Sequence, residues 1–359
     1  MSADATVDFR SDNVGPASPE VLAALQAANQ ATAASYGEDQ VSAALNRRFS
    51  ELFETSVTVF PVATGTAANA LALAACVKPY GGIYCYEQAH ILTSEGAATE
   101  AFSGGARLVP VSGEGFRLQP QVLEAALPAA GSLPRHRPQP NAVSVTQATE
   151  YGTVYRLDEL EAIGTIARSR GLRLQMDGAR FANALVRLGS SPSAMTWRAG
   201  VDVLSFGATK NGGLNAEAIV VFDPTLVEDL SYRLRRAGQT WSKMRFAAAG
   251  LLAYVEGGLF LRSAARANRL AARLEAGLHV IPAVRVLAPV EANLVFVELP
   301  EPVIAALEAA GFLFFRRGSG RIRLVCRFDA SEEDIDCLLE AVRRLASPGV
   351  SDESARAGD

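Results

Sequence analysis

The 359-residue sequence predicts an α/β protein, with a large, mostly parallel sheet domain over residues 1–250 and a smaller C-terminal α/β domain over 251–346. Three observations predict it. From about residue 55 to 222, short β-branched runs alternate with amphipathic stretches, the pattern of strands joined by crossover helices. After Asp223 the alternation gives way to a long segment rich in Ala, Leu and Arg, and strand-like runs resume only near residue 284. The chain is also longer than one hydrophobic core ordinarily supports, roughly 250–300 residues.

The elements follow in order. Val57–Phe60 reads as a strand, and Thr64-Gly65-Thr66 opens a helix over Gly65–Val77. Ile83–Tyr86 and Leu108–Val111 are short strands, and Ala142–Thr146 carries Val143 and Val145 at strand spacing. Leu157, Leu160, Ile163 and Ile166 recur at helical spacing over Leu157–Arg170, and Gly171 stops that helix. Leu172–Met176 is a strand that ends at Asp177. Val201–Phe206 ends just before Thr209-Lys210, and Ala218–Phe222 follows. The span 224–277 reads as helical. Val284–Leu287 and Leu294–Leu299 are strands, Pro302–Ala310 a helix, and Phe312–Phe315 and Ile322–Val325 strands again. Ser331-Glu332-Glu333 caps a closing helix over 331–346, and the small polar tail 347–359 is expected to be disordered.

Composition removes several classes. Hydrophobic residues make up 49% and charged residues 20%, ordinary for a globular chain. The net charge is −4 and no strongly basic tract stands out, which argues against a nucleic-acid partner. Cys76, Cys85, Cys326 and Cys337 form no CxxC pair and read as reduced thiols. His90, His136 and His279 are far apart in sequence, so no metal site is expected. The N-terminus, MSADATVDFRSD, lacks the apolar core of a signal peptide, and the run Ala67–Val77 is short of the ~20 residues a bilayer needs. A cytoplasmic protein with no membrane partner is expected.

Three features fall at the predicted carboxyl ends of strands, where open α/β sheets place ligands. Thr64-Gly65-Thr66 precedes a helix whose free N–H groups suit a phosphate, although an ordinary helix cap is the commoner meaning of such a turn. Asp177-Gly178-Ala179-Arg180 delivers a carboxylate to a tight turn. Asp177 is either a helix cap or the carboxylate that keeps a pyridine nitrogen protonated. In Ser205-Phe206-Gly207-Ala208-Thr209-Lys210-Asn211-Gly212-Gly213 a lysine follows an apolar strand. It is either an exposed loop residue or a desolvated amine fit for a Schiff base. Phosphate turn, carboxylate and lysine, in that order, fit a pyridoxal-phosphate (PLP) site. A nicotinamide dehydrogenase fits less well, because no GxGxxG follows an early strand.

At this point the sequence resembles the threonine-aldolase and β-eliminating-lyase family of fold-type-I PLP enzymes, over nearly the whole chain. Asp8-Phe9-Arg10-Ser11-Asp12-Asn13 resembles its opening D-x-R-S-D-T, and Tyr36-Gly37-Glu38-Asp39 its Y-G-D-D. Thr64-Gly65-Thr66-Ala67-Ala68-Asn69 is similar to its S-G-T-x-A-N, and His90-Ile91 with Glu95 and Gly96 to its H-I-x-x-x-E-x-G. Asp177-Gly178-Ala179-Arg180 matches its D-G-A-R, and Arg323-Leu324-Val325 its late R-L-V.

The resemblance implies a PLP-dependent transferase-like fold and a set of roles. Lys210 would hold PLP covalently, Asp177 would pair with the pyridinium nitrogen, and Thr64, Gly65 and Thr66 would form the phosphate turn. His90 would stack on the ring and take the β-hydroxyl proton of the substrate. Ser11, Arg180 and Arg323 would hold the substrate carboxylate, and Arg180 would also contact the cofactor. A homodimer or homotetramer with sites at the subunit interface is implied, to which Tyr36, Lys243 and Arg245 would contribute from the neighbouring chain.

The sequence departs from the family pattern in three places. Thr209-Lys210-Asn211-Gly212 replaces S-K-G, Cys326-Arg327 replaces T-H, and Gln147-Ala148-Thr149-Glu150 replaces N-T-H-N. These differences resemble the low-specificity threonine-aldolase and phenylserine-aldolase branch. The implied activity is cleavage of L-β-hydroxy-α-amino acids (L-threonine, L-allo-threonine, phenylserine) to glycine and an aldehyde. The alternatives are a β-eliminating lyase or an aminotransferase on the same scaffold, or a non-catalytic ligand-binding protein.

Overall fold

A computed structural model describes residues 6–30, 32–128 and 134–346. The tail expected at 347–359 lies outside the described residues. The strands in chain order are β1 (Val7–Asp8), β2 (Thr58–Val62), β3 (Gly81–Tyr86), β4 (Arg107–Val111), β5 (Gln139–Thr146), β6 (Arg173–Gly178), β7 (Val203–Phe206) and β8 (Glu217–Val221). In the C-terminal part follow β9 (Arg285–Val286), β10 (Leu294–Glu298), β11 (Phe312–Leu313), β12 (Phe315–Arg316) and β13 (Arg321–Val325).

Seven strands form the large sheet in the order β2-β8-β7-β6-β5-β3-β4. The pairs from β4 through β7 are parallel, and β8 runs antiparallel to both its neighbours. The α/β class and the mostly parallel sheet are as the sequence predicts. Alternation along each strand sorts the side chains into two layers. Leu174, Met176, Leu204 and Phe206 join one apolar core, which also takes Leu45, Phe49 and Phe53 from the helix Gln40–Phe53. On the other face, Ile83, Cys85, Val203 and Ile219 pack under the helix Gly65–Cys76. Gln175 and Asp177 share the parity of that second face, and so point toward this helix.

Helices at Pro19–Ala28 and Gln40–Phe53 stand in a stretch to which the sequence reading assigned no element. The second was legible. Asp39 accepts from the amides of Val41 and Ser42, an N-cap worth ~1 kcal/mol, and Leu45, Phe49 and Phe53 recur every four residues.

The helical span expected over 224–277 is three α-helices, Val227–Arg236, Met244–Val255 and Leu259–His279. Gly257, with φ of 56°, breaks the last two apart. By length and composition Met244–His279 is apolar enough to cross a bilayer. Its residues instead fill both cores: Ala248, Leu251 and Phe260 the large one, Leu270, Leu274 and Leu278 the small one.

The smaller unit is an antiparallel sheet, β12-β13-β10-β9, that shares an apolar core with helices Leu259–His279, Glu301–Ala309 and Glu332–Ala346. The closing helix is capped reciprocally: Ser331 Oγ accepts from Asp334 N–H, and Asp334 accepts from Ser331 N–H. Two expectations are corrected. Phe312–Phe315 is not one strand, since β11 and β12 belong to different sheets. The N-terminal segment does not pack wholly with the large unit: β1 pairs in parallel with β11, and Phe9 is buried in the smaller core. An isolated strand of two residues has no partner until the chain has folded, so local sequence could not place it.

Candidate active site

The carboxyl ends of β2, β3, β5, β6 and β7 converge on a cavity of about 810 Å³, closed from the other side by the smaller unit. Ser11, Thr64, Gly65, Thr66, His90, Asp177, Arg180, Lys210 and Arg323 all line it. The structure thus brings together every site residue named from the sequence except Tyr36, Lys243 and Arg245. Those three lie outside it: Tyr36 and Lys243 are exposed, and Arg245 is half-buried. Tyr36 N–H donates to Ser242 O, Lys243 precedes the helix Met244–Val255, and Arg245 Nε donates to Ala28 O. The Arg235 guanidinium lies over the Tyr36 ring at 4.6 Å.

Asp177 is buried and its two oxygens are both engaged. Oδ1 accepts from the Ala179 amide at 2.9 Å, and Oδ2 from the Asn69 side-chain amide at 2.8 Å. The same Asn69 nitrogen donates to Glu95 Oε1 at 2.9 Å. Gln175 donates to Asn69 Oδ1 and to Ser205 Oγ, and accepts from Ser144 Oγ–H. A polar chain therefore runs through the sheet layer to Asp177, each member satisfied by the next. Asn69 belongs to the phosphate-turn motif by sequence; its link to Asp177 was not foreseen.

His90 opens the short helix His90–Thr93 after β3. Its Nδ1 lies 2.9 Å from Glu95 Oε1, and its backbone N–H donates to Glu150 Oε1 at 2.8 Å. The hydrogen bond to Glu95 holds the imidazole pKa above its ordinary value; Asp177 adds to that, whereas burial and Lys210 oppose it. His90, Glu95 and Asp177 are close enough together to hold a cation, against the expectation drawn from three scattered histidines. Glu95 lies five residues after His90, but Asp177 comes from a distant strand end, which is why the spacing of the three histidines could not reveal the cluster. Asn69 already bridges the two carboxylates and Glu95 already holds the imidazole, and the cluster faces the same cavity as Lys210.

Lys210 sits in a single helical turn, Thr209–Asn211, after β7. The turn is tied at three points. The buried Glu217 carboxylate accepts from the amides of Ala208 and Thr209, and burial raises its pKa despite those donors. Asn211 donates to Tyr254 Oη at 2.7 Å and Phe260 O at 2.8 Å. Gly212, with φ of 103°, ends the turn in a conformation that L side chains avoid. The departure at Asn211 is thus an anchor between the lysine loop and the helices behind it.

Arg180 donates to Asp12 Oδ2, and Asp12 Oδ1 accepts from Asn293 of the smaller unit. Arg323 donates to Arg10 O and stacks over Phe315. Burial and the nearby Arg180 and Arg317 pull the Arg323 pKa down to about 10, so it remains a cation at neutral pH. The Nε atoms of both arginines are buried without a partner. Two cations with unmet donors in one cavity are suited to a carboxylate. On the same cavity wall Phe116 stacks on Tyr151 at 4.2 Å, and Tyr151 meets Phe296, the cross-strand partner of Arg323, at 4.8 Å.

The cavity fits PLP. A Cβ at Gly65 would project into open space, so the glycine leaves room for a group at the amides of the helix start. Asp177 is positioned as an acceptor for a ring N–H, and Glu95 Oε2 and the two guanidinium Nε atoms await partners. A lysine, a carboxylate and a glycine turn on this sheet define a PLP-dependent enzyme of fold type I. Residues 8–301 match the family model described as Beta-eliminating lyase. The chain is 43% identical over 346 residues to the low specificity L-threonine aldolase of Pseudomonas sp. (strain NCIMB 10558), covering 96% of this chain and 99% of that one. With the low specificity L-threonine aldolase of Pseudomonas aeruginosa it shares 44% over 344 residues, covering 96% and 97%. A Leishmania major threonine aldolase structure aligns with a TM-score of 0.88 at 27% identity, over 95% of this chain and 99% of that one. The chain belongs to the β-eliminating lyase family, among its threonine aldolases.

Proposed function

We propose that the protein cleaves L-β-hydroxy-α-amino acids between Cα and Cβ, yielding glycine and an aldehyde. The observation that carries this reading is that His90, Lys210 and the two part-free guanidiniums of Arg180 and Arg323 line one cavity. When bound, PLP supplies an electron sink conjugated to the substrate Cα. The rest falls to the chain. Lys210 provides the amine that holds the cofactor. Asp177, locked by Ala179 and Asn69, keeps a proton on the pyridine nitrogen. Thr64, Gly65 and Thr66 offer amides to the phosphate.

Arg323 and Arg180, with Ser11 nearby, hold the substrate carboxylate and so fix which bond to Cα is aligned for cleavage. With Nδ1 committed to Glu95, the His90 nitrogen left to take the β-hydroxyl proton is Nε2. The raised pKa brings that base toward the operating pH. The wall of Phe116, Tyr151 and Phe296 suits an apolar or aryl group on Cβ. Exposed Tyr36 and Lys243, with half-buried Arg245 beside them, are where a second copy of the chain in a dimer or tetramer would meet this one.

Product analysis tests the reading. Incubation of the PLP-loaded enzyme with L-threonine and with phenylserine is expected to release glycine with acetaldehyde or benzaldehyde. Pyruvate or another keto acid with ammonia would instead indicate elimination.

A further inference from the structure

Glu150 ends the stretch that departs most from the family pattern, and the mechanism above leaves it without a task. It lies at the carboxyl end of β5, on the cavity wall. Its Oε1 accepts two hydrogen bonds at 2.8 Å each, one from the backbone N–H of His90 and one from Thr146 Oγ1–H. Burial pushes its pKa up, and these donors pull it back toward the ionised form.

The turn that carries His90 has no side-chain cap of its own, because Ala89 precedes it. A carboxylate from the loop after β5 therefore satisfies the first amide of that turn. His90 is held at two places: its backbone N–H by Glu150, and its ring Nδ1 by Glu95. A base must stand within hydrogen-bond reach of its proton, and displacement by about 1 Å costs on the order of a hundredfold in rate. We infer that Glu150 is a positioning residue for His90: with Glu95 it fixes where Nε2 of His90 stands in the cavity.

The inference rests on the reading of His90 as the group that takes the β-hydroxyl proton, and its test separates the two. Amide hydrogen exchange at His90 and steady-state kinetics would be measured on the PLP-loaded enzyme and on its Glu150→Ala, Glu150→Gln and Thr146→Val variants. Loss of a hydrogen bond to a charged group corresponds to a factor of about 10–100. Glu150→Ala should speed exchange at the His90 amide by about that factor and lower kcat in step, leaving KM little changed. Glu150→Gln, which keeps an acceptor oxygen, should recover part of both, and it serves if the alanine variant fails to fold. Thr146→Val should leave the His90 amide protected, because the His90 bond survives. Unchanged exchange at His90 in Glu150→Ala overturns the inference, whether or not activity falls. A His90→Asn variant that keeps the full rate sinks the proton role of His90, whereas the exchange result for Glu150 stands by itself.

Discussion

Nδ1 of His90 lies 2.9 Å from Oε1 of Glu95, and that one oxygen also accepts the Asn69 amide that donates onward to Asp177. One asparagine thus connects the carboxylate that orients the base to the carboxylate that would face the pyridine nitrogen. The Glu95 side chain is out of solvent, so its charge acts on His90 with little screening.

The first prediction concerns pH. Glu95 favours the imidazolium, so His90 keeps its proton to higher pH than a free histidine. A base works only when deprotonated, so Glu95 moves the acid limb of the kcat profile upward. Glu95→Gln should lower the His90 titration midpoint, read by NMR, and shift the acid limb to lower pH. A midpoint that stays or rises would contradict the hydrogen bond as its cause.

Asn69→Ala should weaken cofactor retention. The change leaves Asp177 and Glu95 each short of a buried donor, at a cost of about 1–3 kcal/mol. Equilibrium dialysis is expected to show PLP held about tenfold more weakly, with the far-ultraviolet circular dichroism intact. Retention equal to that of the unaltered protein would show that Asp177 needs no support from the helix Gly65–Cys76.

Arg323→Ala should raise KM by about 10–100-fold, the range for a hydrogen bond to a charged group. Arg323→Lys should recover only part of the loss. Lysine lacks the planar fork for a carboxylate and cannot stack in the same way over Phe315. If kcat fell with KM unchanged, Arg323 would belong to the transition state and not to carboxylate binding.

Lys210→Ala should abolish turnover and leave PLP dialysable, with the absorption of free PLP. Retention of a covalently bound chromophore would move the attachment to another amine.

Two stability measurements probe the N-terminal segment and the closing helix. Phe9→Ala removes a ring that is 1% exposed in the smaller core and should cost about 3–5 kcal/mol in urea unfolding. Ser331→Ala removes the cap of Glu332–Ala346 and should cost ~1 kcal/mol. Phe9→Ala should also raise KM, because Asp12 three residues on holds Arg180.

The strand–helix alternation of the large sheet was legible because each element carries its own period. Met176 and Gln175 differ by one residue and fall into opposite layers for that reason alone. The helix Gln40–Phe53 carried the same kind of signal in Asp39 and its Leu45-Phe49-Phe53 stripe. Short strands were not legible, since β1, β11 and β12 span two residues each and exist only through their partners. At the site, Lys210, Asp177 and the turn at Gly65 could be picked out locally, each following an apolar strand. Glu217, the buried carboxylate under the lysine loop, ends no motif and opens a strand, so nothing in its neighbourhood marked it.

The sequence by itself determined the elements of the large sheet and the order of turn, carboxylate and lysine along it, and its short motifs carried the resemblance to the family. Those signals are local: a period of two or of 3.6, and a residue type at a strand end. Only the tertiary structure decided how the site is held. Asn69 meets Asp177 across 108 residues, Glu150 meets His90 across 60, and Asn293 meets Asp12 across 281. Hydrogen bonds between residues so far apart leave no periodic trace in the chain. They form because the sheet brings its strand ends to one edge, and the smaller unit closes over them.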